Sequence, residues 1–493
     1  MISRYRQILG WACRAVVLAA AALMTASPAS SASLPRPPGL PGPAFLTSGL
    51  VDDPLFSGSP PSVRSQWYPR VQALGSKIVR LDTSWALIAP GTLAPGFDPS
   101  NPADPHYNWS SLDGPIEDLV AHGQTVVVMV RAAPTWAEGP GMPPNLQFSG
   151  TWMPDPRAYG EFAHALALRY SGHFRVNGQL LPHVGYFQAW NEPNMPRYFM
   201  PQWERNGNGP WIATAPVIYR ALLNGFYAGV KSAAPGDTVL SAGLAPYGDP
   251  PATGQGRMYP VTFFQQMFCL GPNLRPSGPC PDPPHVDVLD MHPYAIAPTV
   301  KARVAGDISV PDLGKIWRIL HAAARYHVLL PATPKSLWVT ELDWATVPAL
   351  SPSRTSLLRQ ARFLSLGFYV LWRQGVSTVL WFQLRDPPGQ TNSFAGAGLY
   401  FGTGVAKPSA AAFRFPFIAI PARHHKLTIW GLASTPGTVV IQKLTKRGWK
   451  AILKLTSTPG GVFYSNHRLG SHLQLRAKAG SAISPVWATS GPM

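Results

Sequence analysis

The sequence predicts an α/β protein: a (β/α)8 TIM barrel followed by a small C-terminal antiparallel β-sandwich. Three observations carry this expectation. From Pro43 onward, eight short β-branched apolar runs alternate with longer amphipathic stretches. The runs are continuously apolar, as parallel strands covered on both faces are. After Tyr400 the texture changes to short strands separated by Gly, Pro and Ser, the spacing of a sandwich. The 493 residues include 55 Pro and 45 Gly, but 46% are hydrophobic and 11% aromatic. That apolar content argues against a mainly unfolded chain and fits one large domain with an accessory module.

In chain order, residues 1–32 read as a secretory signal peptide. Arg4, Arg6 and Arg14 lead into an apolar run over 15–24 that is too short to span a bilayer well, and cleavage is expected near Ala29 or Ala32. An N-terminal membrane anchor is the competing reading. Residues 33–42 form a Pro-rich, semi-rigid leader. The barrel is expected over 43–417. Its strands are read at 44–51, 77–82, 125–131, 184–190, 238–244, 286–291, 336–340 and 378–383. Helices are read between most of them, at 157–170, 216–233, 312–325 and 355–374, with 407–417 closing the barrel. Enlarged loops at 134–156, 195–210 and 249–260 would shape its mouth. An open doubly wound sheet is the runner-up, but no glycine fingerprint follows the first strand. Residues 418–493 are expected to form a basic β-sandwich module, with strands at 426–431, 438–444, 450–455, 461–465 and 472–477.

The net charge of +18 is unevenly spread. Three arginines fall in the signal segment, residues 33–417 carry 28 basic and 23 acidic residues, and 418–493 carry ten Lys and Arg with no acid. The charge therefore belongs to a module, which excludes reading the whole chain as a basic nucleic-acid binder. An anionic cell-envelope polymer, a charged polysaccharide or phospholipid headgroups would suit such a face. A solvated basic cap on the barrel is the alternative. Stacking aromatics for nucleic acid are sparse there. Cys13 lies in the signal segment, leaving Cys269 and Cys280 as a candidate disulfide in an oxidising compartment. Two cysteines without clustered histidines make a poor zinc site, and no metal or cofactor is expected. No later segment is long and apolar enough to cross a membrane, so the mature chain is expected to be exported, with retention at the envelope a further expectation.

In a barrel, polar groups at the C-terminal strand ends line the active-site mouth. Strand four runs out in Trp190-Asn191-Glu192-Pro193-Asn194, and strand seven in Thr340-Glu341-Leu342-Asp343. Two glutamates facing one cleft are the minimal apparatus for glycoside hydrolysis: one protonates the departing oxygen, the other attacks the anomeric carbon or activates water. Taken singly, a strand-end Glu is more often a loop salt bridge or helix cap. Aromatic rings at Trp85, Trp136, Trp203, Trp344 and Trp381 are candidates for sugar stacking or for ordinary packing.

The Trp-Asn-Glu-Pro-Asn string resembles the strand-four acid/base motif of the clan A retaining (β/α)8 glycoside hydrolases, which include the family 5 cellulase-like and family 39 enzymes. The resemblance runs through the barrel. Arg80 ends strand two, where such enzymes often hold the nucleophile with an arginine. His292-Pro293-Tyr294 ends strand six, matching their His-x-Tyr pair, and Trp381 lies on strand eight, where the clan commonly places a sugar platform. The resemblance implies a secreted retaining hydrolase of poly- or oligosaccharides, with Glu192 as acid/base, Glu341 as nucleophile and Asn191 on the sugar 2-hydroxyl.

The electrostatic expectation is that Arg80 and Tyr294 keep Glu341 ionised. Glu341's charge and burial against Trp190 would keep Glu192 protonated. Arg131 ends strand three, where family 5 enzymes often show a histidine; it reads either as a reader of a charged substituent or as a loop-holding arginine. Asp82 and Asp386 sit near the rim, as sugar ligands or as ion-pair partners of Arg80 and Arg385. Two other readings stay open: a non-catalytic carbohydrate- or envelope-binding protein on a degenerate barrel, and transglycosylation through the same residues.

Overall fold

The computed structural model describes residues 39–490 apart from 206, 252–253, 347–354, 388 and 390–394. The expected signal peptide (1–32), Cys13 and residues 33–38 of the leader lie outside the described residues.

Eight parallel strands close into a barrel. They are β1 (Thr47–Val51), β2 (Ile78–Ser84), β3 (Thr125–Arg131), β4 (Tyr186–Ala189), β5 (Thr238–Leu240), β6 (Val288–Asp290), β7 (Ser336–Val339) and β8 (Val376–Phe382). The sheet closes where β1 lies beside β8, with Leu50 opposite Trp381 and Val51 opposite Phe382. Helices α1 (Tyr68–Leu74), α2 (Ser110–Ala121), α3 (Pro156–Arg169), α4 (Ala215–Ala233), α5 (Pro260–Met267), α6 (Gly314–Arg325), α7 (Leu357–Arg373) and α8 (Pro408–Arg414) follow the strands in turn. Local sequence fixes their starts: Asp155 caps α3 by accepting from the Ala158 N–H (2.8 Å), with Pro156 at the first helical position. Along the α3–α4 contact, glycines allow backbone to touch backbone. A Cβ on Gly229 would lie 2.0 Å from the Gly160 carbonyl oxygen.

Strand residues alternate between faces, and the inner face assembles one apolar layer from all eight strands. Val51, Ile78, Val127, Leu240, Val288, Trp338 and Leu380 pack together, with Tyr186 and Phe382 partly buried against them. Two residues further along, Arg80, Gln188, Asp290 and Thr340 stand beside the apolar Met129, Ala242 and Phe382, and the polar four form the floor of the mouth.

Two strands that sequence reading passed over form a ribbon inside the β4–α4 loop, Trp203–Glu204 against Ile212–Ala213. A second ribbon pairs Arg175–Val176 with Gln179–Leu180. Both are two residues long, too short for a periodicity to register.

From Phe417 the chain is antiparallel. One sheet contains β9 (Phe417–Ala422), β10 (Lys426–Leu432) and β13 (Val462–His467). The other contains β11 (Thr438–Thr445), β12 (Gly448–Thr456), β14 (Gln474–Ala479), β15 (Ala482–Ile483) and β16 (Trp487–Ala488). Its core is continuous with the barrel's: Trp430 on β10 is fully buried against Tyr369 and Trp372 of α7, at ring separations of 5.7 Å each. The Arg362 guanidinium sits 4.1 Å above the Trp487 ring. At the other end of the chain, Phe45 bridges to Gly460 and Gly461, and the Thr458 hydroxyl donates to the Ala44 carbonyl. Among the described residues no helix is long and apolar enough to cross a membrane. Cys269 and Cys280 are joined in a disulfide, with Cα atoms 5.8 Å apart.

Candidate active site

Backbone geometry brings the two glutamates to the mouth. After β4 the chain turns sharply: Trp190 and Glu192 both have positive φ (76° and 39°), a conformation that costs a non-glycine residue about 1 kcal/mol or more. Neighbouring strands hold the turn, with the Trp190 N–H donating to the Val130 carbonyl (2.9 Å) and the Glu192 N–H to that of Gly243 (3.0 Å). Glu341 lies two residues beyond the end of β7. Carboxylate oxygens of the two glutamates, and a nitrogen of His292, all lie within 4.8 Å of one another.

The floor beneath them is a hydrogen-bonded polar layer. Arg80, fully buried, ion-pairs with Glu341 and with Asp82 (Nε to Oδ1, 2.9 Å) and donates to the Thr340 hydroxyl (3.0 Å). Tyr294 donates its phenol to Glu341 Oε2 (2.8 Å). His292 spans the centre, Nδ1 against Glu192 Oε1 and Nε2 against Thr340 Oγ1, each at 3.0 Å. The Thr340 hydroxyl donates to Asp290, which also accepts from Gln188 Nε2 (2.6 Å) and the Thr340 N–H (3.0 Å).

These surroundings drive the two carboxyls apart. Burial pushes Glu192 up; the His292 hydrogen bond opposes this, and the charge of Glu341 adds to it. Burial acts on Glu341 in the same direction, but the positive charges of His292 and Arg80 and the Tyr294 bond outweigh it and hold it below the usual carboxylate range. Burial would lower His292, yet Glu341, Asp290 and Glu192 together raise it to about 10. The arrangement thus favours one protonated and one ionised glutamate across a small gap.

Several buried polar atoms at the mouth have no protein partner among the described residues, including Asn191 Oδ1, Asp343 Oδ2 and Gln383 Oε1. Burial, reinforced by the charge of Glu341, pushes Asp343 well above the usual carboxylate range. Buried oxygens without a protein partner beside the two glutamates suit the hydroxyl donors of a polyhydroxylated ligand.

Of the residues singled out from sequence, Arg80, Glu192, His292, Tyr294 and Glu341 meet in one network, and Asn191 lies buried beside it. Trp381 does not face the mouth. It is fully buried, donates its indole N–H to the Ala397 carbonyl (3.0 Å) and packs on Trp344 at 6.0 Å. The reason is parity: Leu380 and Phe382 point into the barrel, so Trp381 points out to the helices, and Phe382 is the aromatic on the inner face. Trp85 and Trp344 are likewise enclosed. Trp190 packs outward on Tyr159 and Phe199, at 5.6 and 5.8 Å. Asp386 pairs with Lys407 (2.7 Å) rather than Arg385. Sequence reading missed Gln188, Asp290, Thr340 and Phe382, which counting in twos along each strand would have found. It also missed Gly243: a Cβ there would lie 2.1 Å from His292 Nε2, so a side chain is excluded behind that imidazole.

Glu192, His292 and Glu341 form the one cluster of metal-ligating type among the described residues. Their facing atoms are already bonded to one another, to Arg80 and to Tyr294, so an entering divalent cation would have to break those bonds beside a fixed guanidinium.

No family model matches the sequence, and no curated protein matches it. Among solved structures the chain is similar to a glucosidase from Croceicoccus marinus at 13% identity, covering 86% of this chain and 93% of that one, with a TM-score of 0.48. It is similar to a GH30 endoxylanase from Clostridium papyrosolvens at 13% identity, covering 89% and 95%, with a TM-score of 0.43. An exo-β-1,4-mannosidase from an Opitutaceae bacterium is similar at 16% identity, covering 75% of this chain and 58% of that chain, with a TM-score of 0.45.

Proposed function

We propose that the protein is a retaining glycoside hydrolase in which Glu341 is the nucleophile and Glu192 the acid/base. One observation carries the reading: oxygens of the two carboxyls lie within 4.8 Å in surroundings that favour opposite protonation states. Retention needs carboxyls about 5–5.5 Å apart, whereas inversion needs about 6.5–9.5 Å to admit a water.

In the first step a Glu341 oxygen bonds to the anomeric carbon as the glycosidic C–O bond breaks, and the Glu192 proton goes to the departing oxygen. Esterification removes the charge of Glu341, so Glu192 becomes an effective base. It takes a proton from water, whose oxygen displaces Glu341 from the anomeric carbon and restores both carboxyls. Asn191 Oδ1, unpaired and buried, is placed to accept from a sugar hydroxyl beside that carbon, and Phe382 supplies the apolar surface at the end of β8. A sugar acceptor in place of water would give transglycosylation. The disulfide supports export, and the acid-free stretch after Phe417 suits weak adhesion to an anionic envelope polymer.

Replacing Glu341 by glycine tests the assignment. Hydrolysis of an activated aryl glycoside should vanish, azide should restore turnover, and the wild-type product should first appear by NMR with the anomeric configuration of the substrate. An active Gly variant, or an inverted first product, would overturn it.

A further inference from the structure

Arg131 ends β3. Because Val130 pairs with Ala189 on β4, Arg131 stands level with Trp190, two residues from Glu192. There it enters a cavity of about 300 Å3 lined by Arg131, Gln147, Ser149, Thr151, Arg197 and Tyr198 among others, within the range of ligand-binding clefts. The two guanidinium groups lie 5.9 and 5.5 Å from the Tyr198 ring centre. Among the described residues no acidic one lines the cavity. The three buried arginines among the described residues are matched with carboxylates: Arg64 with Asp118, Arg80 with Asp82 and Glu341, Arg169 with Asp113. Arg131 and Arg197 have no ion-pair partner among the described residues.

The walls are tied in place. The Ala133 N–H donates to the Gly150 carbonyl (2.9 Å), and the Met200 N–H to that of Thr151 (2.8 Å). Gly150 has φ +73° and no room for a Cβ, which would meet the Ala133 oxygen at 2.7 Å. The Trp190 indole donates to the Tyr198 carbonyl (2.8 Å), fastening the cavity to the strand end that carries Glu192. Burial pushes the Tyr198 phenol up, with Glu192 and Glu341 adding and Arg197 and Arg131 opposing, so the two glutamates and the two arginines are all near one side chain.

We propose that this cavity is a subsite for an anionic sugar, one carrying a carboxylate or a sulfate ester, held by Arg131 and Arg197 next to Glu192. Two planar guanidinium groups match the paired oxygens of either anion, and Gln147, Ser149 and Thr151 supply neutral partners for hydroxyls. The inference deepens the glycosidase reading and rests on it for the cavity's role in turnover.

The test is binding rather than turnover, with probes that have no glycosidic bond to cleave. The full-length protein is titrated by calorimetry with glucuronate, glucose 6-sulfate and glucose, as wild type and as the Arg131→Gln and Arg197→Ala variants. At least one anion should bind about ten-fold or more tighter than glucose, and that preference should fall about ten-fold in either variant. Whichever anion is preferred identifies carboxylate or sulfate as the group read. Arg197 is exposed, so its variant keeps the test valid if Arg131→Gln lowers Tm. Equal affinity for all three probes, or a preference kept in both variants, would overturn the subsite. Selective anion binding by a protein that fails the Glu341 test would overturn the glycosidase reading alone.

Discussion

Replacing Gly243 by alanine puts a methyl group where His292 and Asp290 already stand. The new Cβ would lie 2.1 Å from His292 Nε2 and 2.7 Å from Asp290 Oδ2, whereas ordinary contact begins at 3.4 Å. The imidazole must therefore retreat by about 1.3 Å, or the Gly243 backbone must move instead. Either route reaches Glu192. A retreat of that size carries the 3.0 Å bonds of His292 to Glu192 and Thr340 past hydrogen-bond range. A backbone shift drags the Gly243 carbonyl that holds the Glu192 N–H. A displacement of about 1 Å at a catalytic group costs on the order of 100-fold in rate, and overpacking costs about 1–3 kcal/mol of stability. The assay is kcat/KM on an activated aryl glycoside, with Tm measured alongside. Gly278→Ala, where a Cβ meets open space, is the control. A Gly243→Ala variant within three-fold of wild type, with the same pH profile, would refute the proposed part of His292 in setting Glu192.

Tyr294→Phe removes a donor 2.8 Å from Glu341. The nucleophile must be ionised and its pKa is held low partly by that bond, so the acid limb of kcat/KM should move up by about one pH unit; an unmoved limb counts against the assignment. Asp52 is fully buried, and burial raises it to about 7. The folded chain thus keeps a proton that the unfolded chain releases, and stability should fall as pH rises from about 4 to about 7. Asp52→Asn should remove that slope in urea midpoints, and a slope unchanged by the substitution would exclude Asp52 as its source. Serine at both Cys269 and Cys280 should lower the unfolding free energy by about 2–4 kcal/mol, and reduced wild type should match it. No change in either would mean that the cross-link contributes nothing measurable.

The barrel was legible because each strand is an apolar run that ends in a polar break, as in Thr125–Arg131, where the strand read from sequence and the strand observed coincide. The paired glutamates were legible for a related reason: a carboxylate at the end of such a run has nowhere to go but the mouth. What sequence reading lost was the direction of side chains. Trp381 and Phe382 are adjacent, yet one packs against Trp344 and the other faces the barrel interior, a distinction that rests on parity rather than residue type. Gly243 was invisible for a deeper reason. Its constraint comes from His292 on the next strand, 49 positions away, and only a three-dimensional register brings them together. Arg131 lay between, correctly placed at a strand end, while its companion Arg197 sits in a loop without periodicity.

The clasp between Ala44 and Thr458, 414 residues apart in sequence, bears on the order in which this chain can fold. The segment leading into β1 is held by residues that are synthesised long after it, and Trp372 of α7 gains its Trp430 neighbour only when β10 arrives. A contact of such long range must close a very large loop before it returns any stabilisation. A chain emerging N-terminus first therefore cannot seal this edge of the barrel until residues 458–461 have emerged. The edge beside β1 would wait open for residues 458–461, so that removing that segment would leave this step of folding without a partner.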